Sequence, residues 1–142
     1  MKHNIGNILA ASFAIVGLAA LASCAGEQFH VTGSIANAKD SLLYFEHNGL
    51  DGFSTVDSVK LDEKGSFSFS GDKVDNPEFY RLRIAGQIIN IGIDSTETVD
   101  VKATYPQMAT DYTVKGSSEN EKIKELALKQ IDLQARCQSI LA

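Results

Sequence analysis

A chain of 142 residues is long enough for one domain with a real core and too short for two. Its formal charge of −5, from 13 basic and 18 acidic residues, includes no basic run. That argues against nucleic acid as a partner, because phosphate binding needs clustered Lys and Arg. The hydrophobic content of 44% is ordinary for a globular protein, although the N-terminus inflates it.

Lys2 stands ahead of an apolar run from Ile8 to Ala22, broken by Ser12 and Gly17. The run falls short of the about 20 residues a membrane-spanning helix needs, so it reads as a secretory signal. Directly at its end, Leu21-Ala22-Ser23-Cys24 resembles the bacterial lipobox, where the signal peptide is cut before a diacylglyceryl-bearing cysteine. The resemblance implies a lipoprotein signal peptide over 1–23, lipidation at Cys24 and a short tether over 24–28. Each buried CH₂ of an acyl chain adds about 0.8 kcal/mol, so several chains on one residue anchor a protein to a membrane for good. Cleavage removes Lys2 and no acid, which takes the formal charge from −5 to −6. It also leaves Cys137 as the one thiol outside the anchor, so no intramolecular disulfide is expected. Ala25-Gly26-Glu27 lacks the acidic run that resembles a surface-export signal. The expected location is the periplasmic face of a Gram-negative cell membrane.

Past the tether the period becomes two. Phe29, Val31, Gly33 and Ile35 alternate with His30, Thr32 and Ser34, and Asn37 to Asp40 forms a turn. Leu42 to His47 is a second strand, with apolar residues on both faces. The dipeptides Asn48-Gly49 and Asp51-Gly52 mark turns. From Thr55 to Gly71, two alternating runs flank Asp62-Glu63-Lys64-Gly65, with Gly65 free to take positive φ; this reads as a β-hairpin. In its second run Phe67 and Phe69 point one way and Ser66, Ser68 and Ser70 the other. After the Asp72–Pro77 loop, Tyr80, Leu82 and Ile84 share a face opposite Phe79, Arg81 and Arg83. Ile89, Ile91 and Ile93 follow, then Val99, Val101, Ala103 and Tyr105 up to Pro106, then Tyr112 and Val114. About eight short strands with no helix between them predict an all-β, antiparallel β-sandwich.

Beyond Gly116 the period lengthens. Ser118 and Glu121 have capping-box spacing, and Ile123, Leu126, Ile131, Leu133, Cys137 and Ile140 recur at near-helical intervals. An amphipathic C-terminal helix of roughly six turns is predicted over 117–142. With nothing in view to cover its stripe, the Ser118–Ala142 tail is expected to fray or to order on a protein partner.

Four stretches then carry a resemblance together: Phe29 to Ile35, Asp57-Ser58-Val59, Gly65-Ser66-Phe67-Ser68-Phe69 and Val114-Lys115-Gly116-Ser117. In order and spacing they resemble the β-sandwich family catalogued as domain of unknown function 4369, over 29–116. The resemblance implies a domain behind a lipobox, often ahead of a helical linker and a thioredoxin-like domain. This sequence contains no Cys-x-x-Cys, so the redox activity of longer relatives transfers to no residue in it.

Candidate chemistry is sparse. Cys137 lies on the apolar side of the predicted helix, where a small buried hydrophobe is the expected role. His30 and His47 fall on different strands without metal-ligand spacing, and no nucleophile elbow or phosphate loop occurs. Asp62 with Glu63, and Asp94 with Glu97, read as turn formers rather than a calcium site or paired acids. Tyr44 and Tyr80 could form a sugar-stacking platform, weakened by the absence of Trp. The expectation is therefore no catalytic residue, no cofactor and no metal. Three functions stay open. The first is a non-enzymatic, lipid-anchored interaction or positioning module of the cell envelope. The others are a truncated part of a thioredoxin-coupled oxidoreductase, and a glycan- or peptide-binding module.

Overall fold

A computed structural model describes residues 26–142, so the signal run and Leu21, Ala22, Ser23 and Cys24 lie outside the described residues. The strands are β1 (Gln28–Ala36), β2 (Leu42–Gly49), β3 (Gly52–Lys60), β4 (Ser66–Asp72), β5 (Glu78–Ile84), β6 (Gln87–Ile93), β7 (Thr98–Thr104) and β8 (Tyr112–Lys115). One helix, α1 (Ser118–Leu141), closes the chain. The strands form two four-stranded sheets, in the orders β4-β1-β7-β8 and β3-β2-β5-β6. The mostly-β reading therefore holds. One pairing departs from it: β1 and β7 run parallel, with Val31 opposite Val99 and Ile35 opposite Ala103. A parallel pair needs a long crossover, and β2 to β6, the whole second sheet together with β4, supply it.

Alternation predicts the faces. Phe29, Val31 and Ile35 of β1, Phe67 and Phe69 of β4, and Val99 and Val101 of β7 are buried. Leu43 and Phe45, then Tyr80, Leu82 and Ile84, then Ile89, Ile91 and Ile93 meet them from the other sheet. Ser66, Ser68 and Ser70 face solvent, as their alternation with the phenylalanines requires. Phe45 stacks on Phe69 at 5.2 Å and on Tyr80 at 5.0 Å, which ties the two layers together.

The predicted hairpin from Thr55 to Gly71 is overturned. β3 pairs with β2, and β4 pairs with β1, so Asp62–Gly65 is a corner between sheets. The corner is built as the sequence suggests: Asp62 accepts from the Lys64 and Gly65 amides at 2.9 and 3.0 Å. Gly65 takes φ 64°, and a Cβ there would meet the Ile35 carbonyl oxygen at 1.9 Å. What bends it across is the neighbouring corner. The Ile35 amide donates to Gly65 O, the Asp40 amide to Leu61 O and the Leu61 amide to Ser41 O. Buried Leu61 seals the pair of corners.

α1 also differs from expectation. Its N-cap is Ser117, one residue ahead of the predicted box, and the Ser117 hydroxyl accepts from the Asn120 amide. The first turns of α1 are docked on the sandwich. Asn120, 1% exposed, lays its side-chain amide on edge strand β6: Gly92 N–H donates to Oδ1 and Nδ2 donates to Gly92 O, both at 2.8 Å. That satisfies backbone groups an edge strand leaves unpaired. Ile123 packs beside the clamp, its Cδ1 2.9 Å from where a Cβ on Gly92 would lie. Lys124 reaches across to the Tyr112 carbonyl of β8, so α1 straddles the open edge of the sandwich. Beyond the first turns the predicted stripe stays in solvent, with Leu133 61% and Ile140 81% exposed. Cys137 is exposed as well, which corrects its expected burial.

Two outcomes test this packing by denaturant unfolding. Phe67→Ala and Phe69→Ala each cost about 3–5 kcal/mol, while Ser68→Ala is close to neutral. Equal, small effects at all three positions would overturn the assignment of faces. Asn120→Ala costs about 1–3 kcal/mol and raises amide exchange in the first turns of α1. Unchanged exchange there would mean that the clamp does not hold the helix.

Candidate functional site

Polar side chains concentrate at two places, one on each face of the β3-β2-β5-β6 sheet. On the outer face the strand register puts Glu46 opposite Arg81 and Tyr44 opposite Arg83. Glu46 is only 5% exposed and takes both guanidinium groups. Arg83 Nη2 donates to Oε1 at 2.8 Å, and Arg81 Nε donates to Oε2. Each arginine also lies over a ring, Arg81 at 3.4 Å from the Phe53 centroid and Arg83 at 4.5 Å from that of Tyr44. The Arg83 hydrogen bonds hold the Glu46 carboxyl below its usual 4.5, against the opposing push of burial and with help from Arg81. A carboxylate saturated by two fixed cations is a cross-strand tie, poorly suited to proton transfer.

The second place is a cleft of about 650 Å³ at the end of the sandwich where β1 begins. His47 and Tyr80 sit opposite each other in the β2–β5 register, with ring centroids 4.9 Å apart. Both converge on Glu78 Oε2: His47 Nε2 lies 2.9 Å from it, and the Tyr80 hydroxyl donates to it at 3.2 Å. Burial, reinforced by the Glu78 charge, pushes the Tyr80 phenol up to about 12. It therefore stays a donor throughout the physiological range. Ser54, Asp72, Asp75 and Asn76 complete the polar rim; of the apolar residues that line the cleft, Val56 is exposed and Phe29 and Val74 are buried. Lys73, also at the rim, is engaged with Glu27 at 2.7 Å.

The other residues that stood out in the sequence do not assemble. Tyr44 and Tyr80 lie on opposite faces of one sheet, so they make no platform. Asp94 and Ser95 donate their amides to Glu97 at 2.7 and 2.8 Å, and Glu63 pairs with Lys39, all in turn-building roles. His30 and His47 stay on separate sheets. Among the described residues no group of three or more His, Cys, Asp or Glu is placed to hold a metal ion. Sequence reasoning missed both constellations. Arg81 and Arg83 were visible as a face, but Glu46 meets them, and Glu78 meets His47, only through the β2–β5 pairing, across more than 30 residues in each case.

Glu46→Ala lowers stability at neutral pH by about 1–3 kcal/mol, less than a fully buried pair because both arginines can turn toward water. The sign with pH follows from the lowered carboxyl. Its contribution is complete above the usual 4.5 and is lost as pH falls through the lower folded value. Unfolding curves of the wild type and variant therefore converge in acid. A difference that persists unchanged at low pH would overturn the ionic account.

The sequence model for "Domain of unknown function (DUF4369)" matches residues 29–123, past Gly116 and through Asn120 and Ile123 of the docked helix. No curated protein matches the chain. Among solved structures, the crystal structure of (S)-allantoin synthase is similar over 64% of this chain and 44% of that one, at 13% identity and a TM-score of 0.43. The chain thus spans less than half the length of that structure, and a likeness of this size says nothing about activity. The family match covers both sheets and the clamped start of α1, and the chain belongs to the domain of unknown function 4369 family.

Proposed function

We propose that this protein is a non-enzymatic, lipid-anchored module of the Gram-negative cell envelope, facing the periplasm, that holds a protein partner at a set distance from its membrane. The observation that carries this reading is the direction of α1. The chain enters β1 at the end of the sandwich where β6 finishes, since His30 N–H donates to Glu97 O in the β6–β7 turn. α1 starts at that same end, beside Gly92, and passes Ile88 and Gly86 as it runs to the opposite one. Its 24 residues make about 36 Å of helix, against about 23 Å for a seven-residue strand. The exposed apolar turns at Leu133, Ile140 and Leu141 therefore project away from the end that the anchor would hold.

Such a stripe is the surface a partner would cover, at about 25 cal/mol per Å² of apolar area buried. The lipobox-like Leu21-Ala22-Ser23-Cys24 supports acylation at Cys24, and membrane attachment there leaves the sandwich as a rigid spacer.

The test has two arms. Cys24→Ser abolishes incorporation of labelled fatty acid and leaves the signal peptide uncut, and intact-mass analysis of the native protein finds a lipidated Cys24 at its N-terminus. Any other mature N-terminus would overturn the anchor. A photoreactive residue in place of Leu133 or Ile140 forms one defined protein adduct in intact cells, while the same residue at Ser68 forms none. Equal labelling at both positions would overturn the role of the helix.

A further inference from the structure

We propose that the cleft at the N-terminal end of the sandwich is a carbohydrate-binding site that takes a neutral or amino sugar. Its volume of about 650 Å³ falls in the range of small-molecule sites, about 300–1,000 Å³. A pyranose ring has hydroxyl edges that both donate and accept hydrogen bonds, and C–H faces that are apolar. The cleft offers the complement of each. Asp75 and Glu78 accept, Ser54 and Asn76 do either, and the exposed Val56 supplies the apolar surface.

The central acceptor is fixed in advance. Glu78 Oε2 is held by His47 and Tyr80, and Tyr80 is itself locked by stacking on Phe45 at 5.0 Å. Among the described residues these contacts use Oε2 alone, which leaves Oε1 for a ligand hydroxyl. A hydroxyl donating to a carboxylate makes a charge-assisted bond, and a preorganised acceptor loses little entropy in forming it. Charge then sets the selectivity. Lys73 is paired with Glu27, so the carboxylates of Asp72, Asp75 and Glu78 dominate the rim. Phosphorylated sugars and uronic acids are repelled, whereas neutral and amino sugars are not. No residue used here belongs to the lipobox, so the site stands whether or not Cys24 is acylated.

Calorimetry and saturation-transfer NMR on the full chain in detergent micelles test this with glucosamine, N-acetylglucosamine, maltose and glucuronate. At least one of the first three binds and glucuronate does not. Glu78→Gln and Asp75→Asn each weaken that binding at least tenfold, while Ser68→Ala on the remote face leaves it unchanged. Should Glu78→Gln fail to fold, Asp75→Asn in the exposed loop decides the matter. The site is overturned if none of the first three sugars binds, if glucuronate binds as well as glucosamine, or if the variants leave affinity unchanged. Ethanolamine binding as tightly as glucosamine would also overturn it, because a bare ammonium would then account for the contact.

Discussion

Phe45 is the residue on which the two layers meet. Its ring is stacked between Phe69 of the facing sheet and Tyr80 of the adjacent strand, at 5.2 and 5.0 Å. Phe29 leans on Tyr80 from the first strand at 5.2 Å. Each such pair contributes about 0.5–1.5 kcal/mol beyond the area it buries. The larger consequence is positional. Tyr80 belongs both to this stack and to the cleft, so the core sets where its hydroxyl meets Glu78. The Glu78 side of the cleft thereby inherits the rigidity of the sandwich.

The two open sides of the sandwich are treated differently, and the asymmetry gives the molecule a direction. On one side β6 is an edge strand whose backbone groups at Gly92 are taken up by Asn120, and α1 covers that edge. On the other, β3 is an edge whose register against β2 shifts between Phe45 and Glu46, and its residues are almost all exposed. A bulge twists an edge and discourages pairing with a further strand. The helix is thus placed by the backbone need of β6. Its remaining apolar turns are carried past the sandwich because it is longer than the edge it covers.

Much of this was legible in the sequence, because alternation and turn chemistry are local. Phe67 against Ser68, the Ile89-Ile91-Ile93 face and the Asp62–Gly65 turn all follow from neighbours within a few residues. Pairing is not local. A strand–turn–strand pattern is the same for a hairpin and for a corner between sheets, and only the hydrogen bonds from Ile35 and Leu61 to the adjacent corner separate them. The helix shows a second limit. Its periodicity marked a stripe through Leu126, Leu133 and Cys137, yet the residue that docks it is the polar Asn120. An apolar period finds amphipathicity and cannot find an amide that imitates a strand. Face parity, by contrast, was available: Leu43 and Phe45 point inward, so Tyr44 points outward and cannot join Tyr80.

That same parity separates stability from the candidate site. Glu46 and His47 are adjacent, and the pleat sends them to opposite faces of one sheet. Glu46 meets Arg81 and Arg83 outside, where the tie between β2 and β5 is made. His47 meets Glu78 and Tyr80 at the mouth of the cleft, across the same two strands. The ionic cluster therefore clamps the strands that carry the cleft without putting a cation into it. With those arginines consumed on the outer face, the cleft keeps its acidic rim. One pair of strands thereby separates the charge that holds the sheet from the charge that selects a ligand.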